Sequence, residues 1–159
     1  MVILQHPMES KHPYNTAGMA QRSLLRCRIH VGETYDDRII RDLVEQQSIL
    51  LFPDMPWLKQ AKKMDYQPSQ LVVIDATWRK AKKILHLNPM LQELPRMALN
   101  NHPSSEYSIR SSSIADSLAT IEALKIALSN LDEATDYSDL LSPFHKMISL
   151  ARRYKPEAD

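Results

Sequence analysis

Glycine is almost absent from this chain: Gly18 and Gly32 are the only two among 159 residues. Neither directly follows an apolar run. The chain therefore has no G-x-G-x-x-G fingerprint and no P-loop, both of which need glycine where backbone closes on phosphate. That argues against a Rossmann-type cofactor domain. No G-x-S-x-G elbow is present to hold a serine nucleophile. Cysteine is limited to Cys27, which can form no internal disulfide. It falls at helical spacing with Ala17, Ala20 and Leu24 on an apolar face, the setting of a buried structural thiol rather than a nucleophile. No Cys/His cluster has zinc spacing. No apolar run approaches the roughly 20 residues that cross a bilayer. The short run at 2–4 passes straight into polar sequence, unlike a signal peptide. The expectation is a cytoplasmic protein in a reducing compartment, with no membrane and no metal.

What is present is enough to fold. Hydrophobic residues make up 43% and charged residues 25% of the chain, a balance that fits one compact domain over residues 1–159. The net charge of +1 hides an uneven distribution. Lys59, Lys62, Lys63, Arg79, Lys80, Lys82, Lys83 and Arg96 outnumber Asp65, Asp75 and Glu93, whereas Asp132, Glu133, Asp136 and Asp139 form an acidic stretch. A basic middle segment suits either a solvated helix face or a polyanion.

Apolar patterning alternates between strand and helix periods. Strands are expected at 2–5, 48–52, 71–75 and 96–99. Helices are expected after Asn15 as far as Cys27, at 36–45, 55–64, 77–86, 118–131 and 142–154. A long loop rich in Ser and Asn fills 100–117. Alternation of this kind predicts an α/β fold with a mainly parallel sheet flanked by helices. Such sheets bind ligands at the carboxyl ends of their strands, where Asp75 falls.

Three stretches carry polar chemistry. In "HPMESKHPYNT" at 6–16, two His-Pro pairs fix a loop whose polar groups either bind a ligand or cap the next helix. His6 and His12 lack a third metal ligand. In "DATW" at 75–78, Asp75 either caps a helix or serves a site, and Trp78 either packs in the core or lines that site. The stretch at 102–123 is long for a connection between strand and helix.

Taken together these stretches resemble the DTW-domain family, the tRNA-uridine aminocarboxypropyltransferases. The matching segments are "QHPMESKHPYNTA" at 5–17, "LLFP" at 50–53, "LVVIDATWRKAKKIL" at 71–85, "LPR" at 94–96, "SEYSIR" at 105–110 and "LATIEAL" at 118–124. They cover about residues 4–131 in the family's order. Departures are visible. Ala76 replaces a frequent glycine, Ala119-Thr120 replaces a frequent Ser-Thr, and the cysteine cluster that opens many members is missing, so the expectation is a single such domain without zinc.

The resemblance implies a SPOUT-like fold with a C-terminal trefoil knot whose loops bind S-adenosylmethionine. It also implies transfer of the 3-amino-3-carboxypropyl group to N3 of a uridine in tRNA, with methylthioadenosine released. Asp75 is then either the base that takes the N3 proton or the group that orients the donor's amino group. The donor pocket would draw on Phe52, Pro53, Trp78, Leu99, Ser105, Tyr107, Arg110, Ser111, Leu118, Thr120 and Glu122, with Arg110 pairing the donor carboxylate or an RNA phosphate. Lys11, Arg22 and the helical stripe Arg79, Lys82, Lys83 and His86 would meet tRNA. A homodimer is usual in the SPOUT group. An RNA methyltransferase of SPOUT type and a non-catalytic RNA-binding module are the competing readings.

Overall fold

The computed structural model describes residues 1–63, 65–100, 102–106 and 118–154. Five strands, β1 (Val2–Gln5), β2 (Arg28–Val31), β3 (Ser48–Leu51), β4 (Gln70–Asp75) and β5 (Arg96–Met97), form one sheet in the order β2-β1-β4-β3-β5. Among the described residues every pairing is parallel. The six α-helices among the described residues are α1 (Pro7–Ser10), α2 (Thr16–Ser23), α3 (Asp37–Glu45), α4 (Trp78–Leu87), α5 (Thr120–Leu131) and α6 (Ser142–Tyr154). The α/β class and the parallel sheet agree with the sequence reading.

The interior strands β1, β3 and β4 are buried on both faces over most of their length, as parallel strands must be when helices cover them. Period-two alternation divides their side chains between two cores. Ile3, Ile49, Leu71 and Val73 face α2, α5 and α6, packing with Ala17, Ala20, Ile121, Leu124, Phe144 and Ile148. Val2, Leu4, Leu50 and Val72 face α3 and α4, packing with Ile40, Leu43, Ala81, Ile84 and Leu85. Leu4, Leu50, Ile84 and Leu85 are fully buried, and each such side chain contributes about 1.5–3 kcal/mol of burial free energy.

This division sets the place of the site. The connection from β1 to β2 runs through α2 on one face, and the connection from β4 to β5 runs through α4 on the other. Neighbouring strands β1 and β4 thus send their chains to opposite sides, which opens a crevice beyond their carboxyl ends. The register pairs Gln5 with Asp75 at that point.

Several expected elements differ. Residues 55–63 form no helix. Pro53 and Pro56 break that segment, and Arg96 holds it instead, donating to Asp54 Oδ1 (2.6 Å) and to the Lys59 carbonyl (2.6 Å). Helix α2 stops at Ser23, with Leu24 extended, and Cys27 lies beyond it, half-buried against the α2 core. Strand β2 is unexpected, because Arg28 and His30 interrupt its apolar pattern at the sheet edge. Strand β5 ends at Met97 rather than Leu99. No helix among the described residues is long and apolar enough to cross a membrane.

Candidate active site

Asp75 ends β4 at the crevice, and its carboxylate is gripped from both sides. Gln5 donates its Nε2 amide to Asp75 Oδ2 at 2.7 Å, and the Thr120 hydroxyl, in the first residue of α5, donates to Oδ1. The backbone N–H of His6 donates to the Asp75 carbonyl at 3.0 Å, extending the β1–β4 ladder past its last register pair. Gln5 is almost completely buried. Its second amide proton goes to Asn15 Oδ1 at 3.0 Å, and that oxygen also caps α2 by accepting from the Gly18 N–H at 2.9 Å. Asn15 therefore caps the helix and belongs to the site together.

A second network flanks the first. The His6 Nδ1 accepts from the Met8 N–H at 3.1 Å, so the proton resides on Nε2, which meets Glu33 Oε1 at 2.8 Å. Lys83 pairs with the other Glu33 oxygen. Hydrogen bonding by Lys83 first, and by His6 second, holds the Glu33 carboxyl below its ordinary range. Burial pushes the Tyr35 phenol up, and the Asp75 and Glu33 charges add to that. Tyr35 thus stays a neutral donor, to the Gly32 carbonyl at 2.9 Å. On α1, Glu9 is buried and takes the Lys80 ammonium at 3.0 Å, tying α1 to α4.

Aromatic rings form the other wall. Phe52 follows β3 and meets the edge of Trp78 at 5.5 Å between ring centroids and that of Trp57 at 6.1 Å. Trp78 is 45% exposed, so it lines a surface rather than filling the core. Lys82 Nζ stands 5.1 Å from the Trp57 ring centroid, a cation–π distance.

The expected residues divide accordingly. Asp75 and Thr120 meet directly, and Phe52 and Trp78 meet each other. Pro53 follows Phe52 at the end of β3, whereas Leu99 packs against the α5 core. Leu118 is half-buried just before α5. Ser105 and Glu122 also meet, but in a cap: Glu122 accepts from Ser105 Oγ (2.6 Å), from the Glu106 N–H (2.8 Å) and from the Ala119 N–H (2.7 Å). This is half of a capping box, since Ala119 has no side-chain acceptor to complete it. Tyr107, Arg110 and Ser111 lie outside the described residues. Lys11, Arg22, Arg79, Lys82, Lys83 and His86 are all exposed. Within the stripe, Lys83 is engaged with Glu33 and Lys82 with Trp57. Among the described residues no three His, Cys, Asp or Glu side chains gather as metal ligands.

Gln5, Glu33 and Tyr35 were not singled out by sequence. The signals for Gln5 are that it is a polar residue closing the apolar run "VIL" and that it opens the matching segment at 5–17. Glu33 and Tyr35 reach the site only through the unexpected β2.

Comparison with known proteins gives a consistent picture. The chain is 31% identical over 157 residues to the tRNA-uridine aminocarboxypropyltransferase 2 of Drosophila melanogaster, covering 92% of this chain and 62% of that protein. It is 24% identical over 163 residues to the proteins of the same name from Macaca fascicularis and Mus musculus, covering 94% of this chain and 53% of each. The chain thus spans little more than half the length of these relatives. No solved structure matches it. The DTW domain model matches residues 1–152, and on that match the chain belongs to the DTW-domain family.

Proposed function

We propose that this chain transfers the 3-amino-3-carboxypropyl group of S-adenosylmethionine to N3 of a uridine in tRNA. The observation that carries the reading is the carboxylate of Asp75, held by Gln5 and Thr120 where β1 and β4 part. Family membership and the names of the relatives support the reaction class.

The residues present suit such a donor. A cationic sulfonium and an adenine ring both find aromatic surface in the exposed Trp78, which the buried Phe52 backs. When bound, S-adenosylmethionine supplies an electrophilic carbon on a good leaving group. The protein's work is then positioning and proton transfer. N3 of uracil is a poor nucleophile while protonated. Asp75 takes that proton as the N3–C bond forms, and the electron pair of the breaking S–C bond neutralises the sulfonium, so methylthioadenosine leaves. The exposed cations Arg79, Lys82, Lys83 and His86 face outward from α4 and meet the RNA backbone.

A SPOUT-like knot is part of this reading. What supports it is the chain path: β5 lies at the sheet edge beyond β3, yet Thr120 returns to Asp75 near the sheet centre.

The by-product tests the reaction. After incubation with bulk tRNA and S-adenosylmethionine, methylthioadenosine should accumulate in proportion to modified RNA. Accumulation of S-adenosylhomocysteine would mean methyl transfer and would overturn the proposal.

A further inference from the structure

The orientation of a side-chain amide is usually ambiguous, but that of Gln5 is dictated by its neighbours. The Gly18 N–H can only donate, so the atom 2.9 Å from it on Asn15 is the oxygen. That oxygen can only accept, so the Gln5 atom 3.0 Å away is the nitrogen. The same nitrogen therefore turns its other proton to Asp75 Oδ2 at 2.7 Å. Gln5 ends the interior strand β1 with 2% exposure, on the same face as Ile3 and bonded to the cap of α2, and cannot rotate without leaving buried polar atoms unpaired. The start of α2 thus sets which atoms Asp75 faces.

We propose that Gln5 is a positioning residue for the transfer reaction, which keeps the Asp75 carboxylate aligned and in its proton-accepting state through an amide oriented from Asn15. The inference rests on the proposed role of Asp75 as base. A base must be unprotonated before it can act, and an amide N–H donated to a carboxylate oxygen favours the charged form over the acid.

The other ionisable groups on the surrounding elements are largely committed. His6 and Glu33 bond to each other, Glu9 pairs with Lys80, Glu122 caps α5, and Tyr35 donates to Gly32. Replacing the amide with a carboxyl leaves these in place and adds one ionisable group against Asp75.

The test is Gln5→Glu in the full chain, assayed with bulk tRNA and S-adenosylmethionine across pH. Two carboxyls at this distance share a proton, and one member of such a pair is strongly raised. The acid limb of the kcat profile should move to higher pH by at least about one unit, with KM for tRNA within about twofold of wild type. A profile coinciding with that of wild type overturns the proposal. Should Gln5→Glu fail to fold, Asn15→Ala removes the atom that orients Gln5, and Asn15→Asp restores an acceptor there. We expect kcat to fall about tenfold in the first and to recover in the second, the change expected when Gln5, no longer oriented, gives up its hydrogen bond to the Asp75 carboxylate. Wild-type turnover in Asn15→Ala overturns the proposal. A readout independent of the reaction is the carboxyl carbon resonance of Asp75. It should report proton uptake at higher pH in Gln5→Glu than in wild type, and coincident titrations would overturn the inference. A wild-type protein that makes no product would instead count against the proposed reaction, leaving the resonance to decide the role of Gln5.

Discussion

Thr120 and Asp75 are 45 residues apart in sequence, and the hydroxyl of one is hydrogen-bonded to the carboxylate of the other. Because Thr120 is the first residue of α5, the bond places the positive end of that helix beside the anion, a favourable arrangement. Ala119, at the cap position, supplies no side-chain oxygen to compete for it. Thr120→Val keeps the shape and removes the donor. A hydrogen bond to a charged group contributes about 1.5–3 kcal/mol, so turnover should fall about ten- to hundredfold while the circular dichroism of the helices is unchanged. Full turnover in the variant would show that Asp75 needs no partner on α5.

Asp75→Ala should abolish transfer while S-adenosylmethionine binds nearly as to wild type, measured by calorimetry. That outcome assigns Asp75 to proton removal. Loss of donor binding in the same variant would assign it to orienting the donor's amino group, and undiminished turnover would remove it from the mechanism.

The cations of α4 make contacts within the protein and are proposed to meet RNA as well. Lys83 is paired with Glu33 and Lys82 lies over Trp57, yet both are exposed. Replacing both with Ala should weaken tRNA binding and flatten the dependence of log affinity on log salt, by about one unit for each phosphate that the side chains no longer neutralise. S-adenosylmethionine affinity should hardly change. Equal tRNA binding by variant and wild type across a salt series would make this stripe a solvated surface and move the RNA site toward Lys11 and Arg22.

Glu33 gives a dependence of stability on pH whose sign can be worked out. Lys83, and then His6, hold its carboxyl below the ordinary value near 4.5. A carboxyl lowered on folding stabilises the fold above that ordinary value, and the contribution is lost as pH falls through the lowered one. Wild type should therefore melt at higher temperature than Glu33→Gln at neutral pH, and the two should converge in acid. A constant difference down to low pH would mean that the ion pair does not carry the effect.

Much of the fold was legible because parallel strands advertise themselves. "VIL", "ILLF" and "LVVI" are uninterrupted apolar runs, and Leu118, Ile121, Leu124 and Leu128 mark α5 by spacing alone. Strand β2 was hidden because an edge strand tolerates Arg28 and His30. The helix expected at 55–64 failed on Pro56 and on the hold of Arg96, which reaches back across 37 residues in a way that no local pattern reveals. At the site, Asp75 stood out as a carboxylate at a strand end. Of its partners, Thr120 was named through the family resemblance, whereas Gln5 did not stand out, since it reaches Asp75 only through the β1–β4 register.

The central claim is that this domain attaches an aminocarboxypropyl group to uridine. The most direct measurement is mass spectrometry of nucleosides from tRNA treated with the protein and S-adenosylmethionine, with the donor labelled once in its methyl group and once in its aminocarboxypropyl arm. The account predicts a uridine carrying only the second label, with fragmentation that places the group on the base. A nucleoside carrying only the methyl label, or no modified nucleoside in RNA that the protein nonetheless binds, would contradict it.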